Sequence, residues 1–385
     1  MPNFQVQHLV HLLHLHAQNY KHEIALRHKQ LGVWQEWSWQ ALLEKSQHYA
    51  GLLKHFNFQE NHHVLLLSPP NVDVIALSLA AQALGGSVQL IDSQQDDVLN
   101  PVYLDVLQPQ FVLVEELGQL EGVTQSSFIP QVIFHIEPAH LNFDWKQNET
   151  VVFHLLSDFI DYPKITFDQL ILDSTETAFR FEYIENKQLS SVSYTHKELI
   201  TEAGQLVEKY ALNSSEQAFV ARSFSSVGHI RYLWSSWLLA GFTLNIPEVL
   251  ATRDQDRQVI APTLVLGTKQ SYERVYQLIL SKLAKKNTWL FNAFQQSFIS
   301  ADSHASSSLI KRLIKGLYRQ SILEELGFSQ LCTALIVGEQ VSEEAFAFYQ
   351  ALDIHLQPWN EPVQWIKQEL KELHDHHQNL AAPAQ

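Results

Sequence analysis

The chain has 385 residues, 46% of them hydrophobic, enough to bury a large core and to form two or three structural units. Its formal charge of −15 opposes the phosphate neutralisation on which non-specific nucleic-acid binding rests, so nucleic acid is excluded as an expected partner. The single cysteine, Cys332, rules out an internal disulfide, and no charged segment followed by an apolar run and a cleavage site opens the sequence, so a cytoplasmic location is expected.

In chain order, the first candidate is HLVHLLHLH, carrying His8, His11, His14 and His16. His11 and His14 at i, i+3 share a helix face, but no cysteine or acidic residue nearby has ligand spacing, so the expectation is an amphipathic helix, not a metal site. Ala41 to Phe56 has helical period, and Val64 to Leu67 reads as a strand. The apolar stretch Val72 to Ile91 is interrupted by Asp73, Gln82, Gly85, Gly86 and Gln89, which predicts a helix followed by a buried strand and no membrane span.

Further strands are expected at Phe111 to Val114, Val132 to Ile136, Leu264 to Leu266 and Ala334 to Val337, with helices at Lys197 to Tyr210 and Glu343 to Leu352. This alternation argues for α/β layers around largely parallel sheets. Ser225, Ser226 and His229 lack a G-x-S-x-G elbow, so hydrolase chemistry is not expected. Arg231, Trp234 and Trp237 follow on an expected helix, where Arg231 and Trp234 at i, i+3 either border a lipid pocket or pack in the core or an interface. Ala301 to Ser307 reads as a polar loop, and His374, His376 and His377 read as part of a solvated tail, with adventitious metal binding as the alternative.

Several longer stretches carry a family resemblance. IALRHKQLGVWQEWSW (Ile24 to Trp39) resembles the entry of bacterial long-chain fatty acid CoA ligases, A-[LI]-R-x-K-x-x-G-[IV]-W-Q-x-[WY]-[ST]-W. LLAGFTLNIPE, IAPTLVLGTKQSYERVY and ALIVGEQVSEEAFAFYQALDIHLQPWNEP resemble that family's G-x-T-x-N-x-P-E, P-T-x-x-x-x-P-R-x-W-E and G-E…F-Y…Y-G-x-T-E segments. Asp173 to Ile200 resembles D-x-A-x-I-x-Y-T-S-G-T-T-G-x-P-K-G-V-M-L-S-H-x-N-L, with Val192, Thr195, His196 and Leu199 in register.

The sequence is thus similar to the AMP-forming acyl-CoA synthetases over nearly its whole length. The resemblance implies two stacked αβα subdomains, one near residues 60–210 and one formed by 1–59 with 211–364. Together they make an AMP-binding-like domain at 1–365, followed by a helical or polar tail at 366–385. The expectation is a domain that lacks the family's barrel subdomain and mobile C-terminal domain.

The departures fall on the chemistry. Tyr183, Ile184, Glu185, Asn186 and Lys187 replace Ser-Gly-Thr-Thr-Gly, and Leu189, Ser190 and Ser191 replace Pro-Lys-Gly. Such a loop holds phosphates through backbone N–H groups in conformations that glycine adopts cheaply, and its lysine adds a cation that Ser190 lacks. Lys187 is the one candidate surrogate. Gln270 stands for an arginine, Val363 for a phosphate-contacting threonine, and Gln364 for a glutamate that would hold Mg²⁺. His196, His229, Gly241 and Gly338 remain as ligand-binding candidates.

The expectation is a catalytically degenerate synthetase-like protein with no cofactor. It would bind an acyl chain, another apolar molecule or a partner protein, as a homodimer or beside an intact synthetase, and peripheral association with the inner membrane face stays open. One alternative is an active ligase using ATP and Mg²⁺ with a separate C-terminal domain, and another is a scaffold without a ligand.

Overall fold

The computed structural model describes residues 8–91, 101–115, 118–119, 123, 126–136, 151–154, 162–220, 224–286, 319–359 and 363–370. Helix α1 (Leu9–Asn19) precedes a hairpin of β1 (Ile24–Gln30) and β2 (Val33–Ser38), and α2 (Trp39–His55) follows. A βα alternation comes next: β3 (His63–Leu67), α3 (Val72–Ala83), β4 (Ser87–Ile91), α4 (Pro101–Leu107), β5 (Phe111–Val114), β6 (Val132–His135) and β7 (Val151–His154). Strands β8 (Thr177–Glu185) and β9 (Gln188–Thr195) then lead into α5 (His196–Tyr210).

The remaining elements are β10 (Gln217–Phe219), a π-helical turn (His229–Trp234), α6 (Ser235–Ala240), β11 (Thr243–Ile246), α7 (Arg253–Ile260), β12 (Leu264–Thr268), α8 (Lys269–Lys286), β13 (Thr333–Val337), α9 (Glu343–Ala351), β14 (Leu356–Pro358) and β15 (Ile366–Glu369).

Several helices begin where local side chains satisfy their free N–H groups. Ser38 Oγ accepts from Ala41 N–H at 3.2 Å to start α2, and Asn71 Oδ1 accepts from Val74 N–H at 2.9 Å to start α3. Thr195 and Glu198 form a reciprocal capping box at α5, the Thr195 N–H donating to the Glu198 carboxylate at 2.8 Å.

Two sheets organise the strands. One has seven, in the order β14-β13-β12-β10-β11-β1-β2, and the other eight, in the order β15-β9-β8-β4-β3-β5-β6-β7. Apart from the β1–β2 and β8–β9 hairpins and the β9–β15 pair, every pairing is parallel. This is the expected α/β architecture of two parallel-dominated sheets. All five residues of β3 and of β4 are buried, as befits strands covered on both faces.

The main core lies between the sheets and joins α1, α2, α3, α5 and α6 through Leu13, Trp39, Leu52, Ile75, Leu199 and Trp237. Val72 to Ile91 is a helix followed by a strand as expected, and among the described residues no helix is long and apolar enough to cross a membrane. The stretch expected to begin a helical or polar tail instead opens with β15, because its backbone pairs antiparallel with β9. The loop expected at Ala301 to Ser307 and the histidines His374, His376 and His377 lie outside the described residues.

Candidate functional site

The segment aligned with the phosphate loop is a tight β-hairpin. Strands β8 and β9 pair continuously to Tyr183 opposite Ser190, Ile184 opposite Leu189 and Glu185 opposite Gln188. Only Asn186 and Lys187 form the turn, both left-handed at φ +51° and +62°. This is the type I′ signature, whose twist matches that of the strands it joins. The stretch is therefore a continuous ladder closed by a two-residue turn.

Zipping changes what the backbone can bind. Gln188 to Ser191 lies between β8 on one side and β15 on the other, where Ile366, Lys367, Gln368 and Glu369 face Ser191, Ser190, Leu189 and Gln188. The Leu370 N–H adds a hydrogen bond to the Lys187 carbonyl at 3.1 Å. N–H groups held in ladders do not converge on an anion, unlike those of a glycine-rich nest.

Side chains alternate across this ribbon. Ile184 packs against the apolar cluster of Leu65, Leu67, Ile91 and Val112, which accounts for a branched residue at a position aligned with glycine. Beside it on that face, burial pushes the Glu182 carboxyl up, while Arg180 pulls it down. Tyr183 faces the other way, and its hydroxyl donates to the Ser225 carbonyl at 2.9 Å, tying the hairpin to the segment that follows β10. Trp365 meets the Tyr183 ring edge-on at 5.5 Å.

Lys187 is exposed at the tip of the turn. Ser190 shares its face with Tyr183 and, one strand over, with the exposed Lys367. That lysine escaped the sequence analysis because only the β9–β15 register brings it beside Ser190. Val363 is half-buried and Gln364 exposed, just before Trp365. Ile184, Lys187 and Ser190 thus lie on one hairpin at the edge of the eight-stranded sheet, while Val363 and Gln364 precede its edge strand β15, away from the tip that carries Lys187.

Gln270 lies elsewhere, exposed in the first turn of α8. Next to it the Lys269 ammonium pairs with Glu339 at 3.0 Å, across the carboxyl ends of β12 and β13. Gly338 follows β13 at φ +86°, with open space where a Cβ would stand. Gly241 closes α6 at φ +74°, and a Cβ there would sit 2.6 Å from the His16 ring, so packing and backbone conformation both call for glycine. His16 Nε2–H donates to the Leu238 carbonyl at 2.8 Å in the same contact.

His196 opens α5 and is 1% exposed. Its ring stacks on His8 with centroids 3.6 Å apart, and its Nδ1 accepts from the Leu9 N–H at 3.4 Å. Burial, with His8 adding to it, holds this imidazole well below its usual pKa, so it is neutral. His229 is buried at the start of the π-helical turn. Arg231 in the same turn is 4% exposed and forms a bidentate pair with Glu202 of α5, at 2.7 and 2.8 Å. Its guanidinium also lies over the Tyr194 and Tyr232 rings at 5.1 and 4.9 Å.

On α1 the Gln18 amide donates to His14 Nε2 at 2.8 Å. Among the described residues no group of three or more His, Cys, Asp or Glu side chains is placed to hold a metal ion. The positions aligned with phosphate and Mg²⁺ ligands do not fit those groups: Tyr183 to Lys187 lie in an extended strand and a two-residue turn, Gln188 to Ser191 are paired in two ladders, and Gln364 offers a neutral amide to a cation that prefers anionic oxygen.

No protein-family model matches the chain, and a comparison with curated proteins finds no match. Among solved structures, the A-PCP didomain of carboxylic acid reductase from Segniliparus rugosus, in complex with AMP, is similar with a TM-score of 0.68 at 16% identity, over 91% of this chain and 51% of that one. The fatty acyl-adenylate ligase of L. pneumophila, in complex with acyl adenylate and pyrophosphate, gives 0.62 at 13% identity, over 91% and 53%. A putative long-chain-fatty-acid CoA ligase from Rhodopseudomonas palustris gives 0.62 at 12% identity, over 91% and 74%. The chain spans about half the length of the first two. Its fold is that of the AMP-forming acyl-CoA and fatty acyl-AMP ligases, represented by their N-terminal subdomains.

Proposed function

We propose that this protein is a catalytically degenerate relative of the acyl-CoA synthetases, which binds an acyl chain or another apolar ligand, or a partner protein, without ATP chemistry. The observation that carries this reading is the β8–β9 hairpin, which sets Tyr183 to Lys187 in an extended strand and a two-residue turn instead of an open nest of N–H groups, with the second strand paired on both edges. Glu185 beside the turn sets a negative charge against a negative ligand, and Val363 and Gln364 remove two further polar ligands. Losing one such donor typically lowers a rate by about 10²- to 10³-fold, and several are lost together.

ATP/pyrophosphate exchange with a panel of medium- and long-chain fatty acids tests the reading beside an intact synthetase. Background exchange, with a melting temperature raised by one of the acids, supports it. Ligand at about 100 times its Kd adds roughly 2.7 kcal/mol to the folded state, enough to see. Exchange well above background that is abolished by Lys187→Ala or Lys367→Ala overturns it in favour of a ligase using ATP, Mg²⁺ and a separate C-terminal domain. Neither exchange nor a thermal shift with any acid leaves a partner-binding scaffold.

A further inference from the structure

The N-terminal helix is fastened by an unusual pair. The first two N–H groups of α1 have imidazole acceptors: Val10 N–H donates to His8 Nδ1 at 3.2 Å, and Leu9 N–H donates to His196 Nδ1 at 3.4 Å. The two rings stack at 3.6 Å and 22°, and both are buried. His8 Nε2 is enclosed without a hydrogen-bond partner. Capping by Nδ1 requires that nitrogen to be unprotonated in both rings.

We propose that the His8–His196 stack is an acid-sensitive latch, which releases α1 from the body of the protein when either imidazole takes up a second proton. A protonated ring has no acceptor for the α1 N–H, and two charged rings in van der Waals contact repel one another. Burial, followed by the neighbouring His11, pushes His8 down to about 3, against the opposing pull of Asp173 on the segment before β8. His196 is held well below its usual value by burial and by His8.

The other charges on elements packed against α1 are Glu44, Lys45 and Lys54 on α2, Asp73 on α3 and Asp168 on the 3₁₀ turn at Phe167–Gln169. On α5, Glu198 is committed to the Thr195 N–H and hydroxyl. Each ring binds its proton more weakly closed than open, so the latch is fully held above about pH 6.5 and weakens as pH falls.

Helix α1 contributes Leu9, Val10, Leu12, Leu13 and Ala17 to the main core, so its release is a discrete local opening. Hydrogen exchange of the full chain between pH 7 and 4.5, corrected for the intrinsic exchange rate, reads the opening constant of the α1 amides. It is expected to rise up to about tenfold per pH unit for each histidine, about a hundredfold for both, while α2 and β3 stay protected. His8→Asn keeps a capping oxygen without titrating, and it should reduce the rise to about tenfold, as should His196→Gln. An α1 opening that only tracks global unfolding, or keeps its pH dependence in both variants, overturns the latch.

Discussion

Replacing Glu202 with glutamine tests the burial of Arg231 directly. The guanidinium is 4% exposed, makes two hydrogen bonds to the Glu202 carboxylate at 2.7 and 2.8 Å, and lies between the faces of Tyr194 and Tyr232. Glu202→Gln removes the charge of the carboxylate paired with the enclosed cation, and breaking such a buried pair costs about 3–5 kcal/mol. The tyrosine faces offset only part of this, at about 0.5–2 kcal/mol per cation–π contact. Against a typical total stability of about 5–15 kcal/mol, the loss is large.

The double variant Glu202→Gln with Arg231→Met removes both charges and keeps the volume, so it should recover to within about 1 kcal/mol of the parent. Equilibrium urea unfolding of the parent and both variants measures this, read from the midpoints at matched slopes. A Glu202→Gln cost below about 1 kcal/mol, or a double variant no better than the single, would refute a buried, pair-dependent guanidinium.

Lys187→Gly restores a glycine at a position aligned with the phosphate loop, yet the hairpin predicts a firmer turn and no new activity. Relief of the left-handed lysine is expected to add about 0.5–1 kcal/mol, seen as a higher urea midpoint, with ATP/pyrophosphate exchange unchanged. His63 is 5% exposed on β3, and burial followed by Arg180 pushes it down to about 3. Its neutral form therefore favours folding above about pH 6.5, and stability falls by about 1.4 kcal/mol per pH unit as pH drops towards 3. Urea midpoints at pH 7, 6 and 5 should show a shallower fall in His63→Leu by one proton's worth; identical slopes would contradict this.

Much of the fold was legible because its strands are buried on both faces. Val64 to Leu67 and Phe111 to Val114 appear as unbroken apolar runs, Val88 to Ile91 as one broken only by Gln89, and helix caps such as Ser38 and Thr195 sit where the pattern changes. The hairpin was hidden by its alignment with a motif, although its own signal was present. Phe179, Phe181 and Tyr183 alternate with Arg180 and Glu182, and Asn186 suits a left-handed turn.

Strand β15 left no such signal. Ile366, Lys367, Gln368 and Glu369 are all exposed, and they are held by backbone pairing instead of side-chain burial. The His8–His196 stack joins residues far apart in sequence, and nothing in either local pattern announces the other. Arg231 was readable as either a pocket edge or a core residue, and its pairing with Glu202 places it in the core.

The aromatic residues beneath α1 form a column through the protein. His16 stacks on Trp39 at 4.5 Å, Trp39 on Trp237 at 5.3 Å, Trp237 meets Trp234 at 5.9 Å, and Trp234 meets Phe179 of β8 at 5.5 Å. Three indoles this close exchange excitation faster than they emit, so light absorbed by any one is shared among them. Trp39, Trp234 and Trp237, three of the protein's nine tryptophans, therefore join the seating of helix α1 to the packing of the strand that enters the closed hairpin.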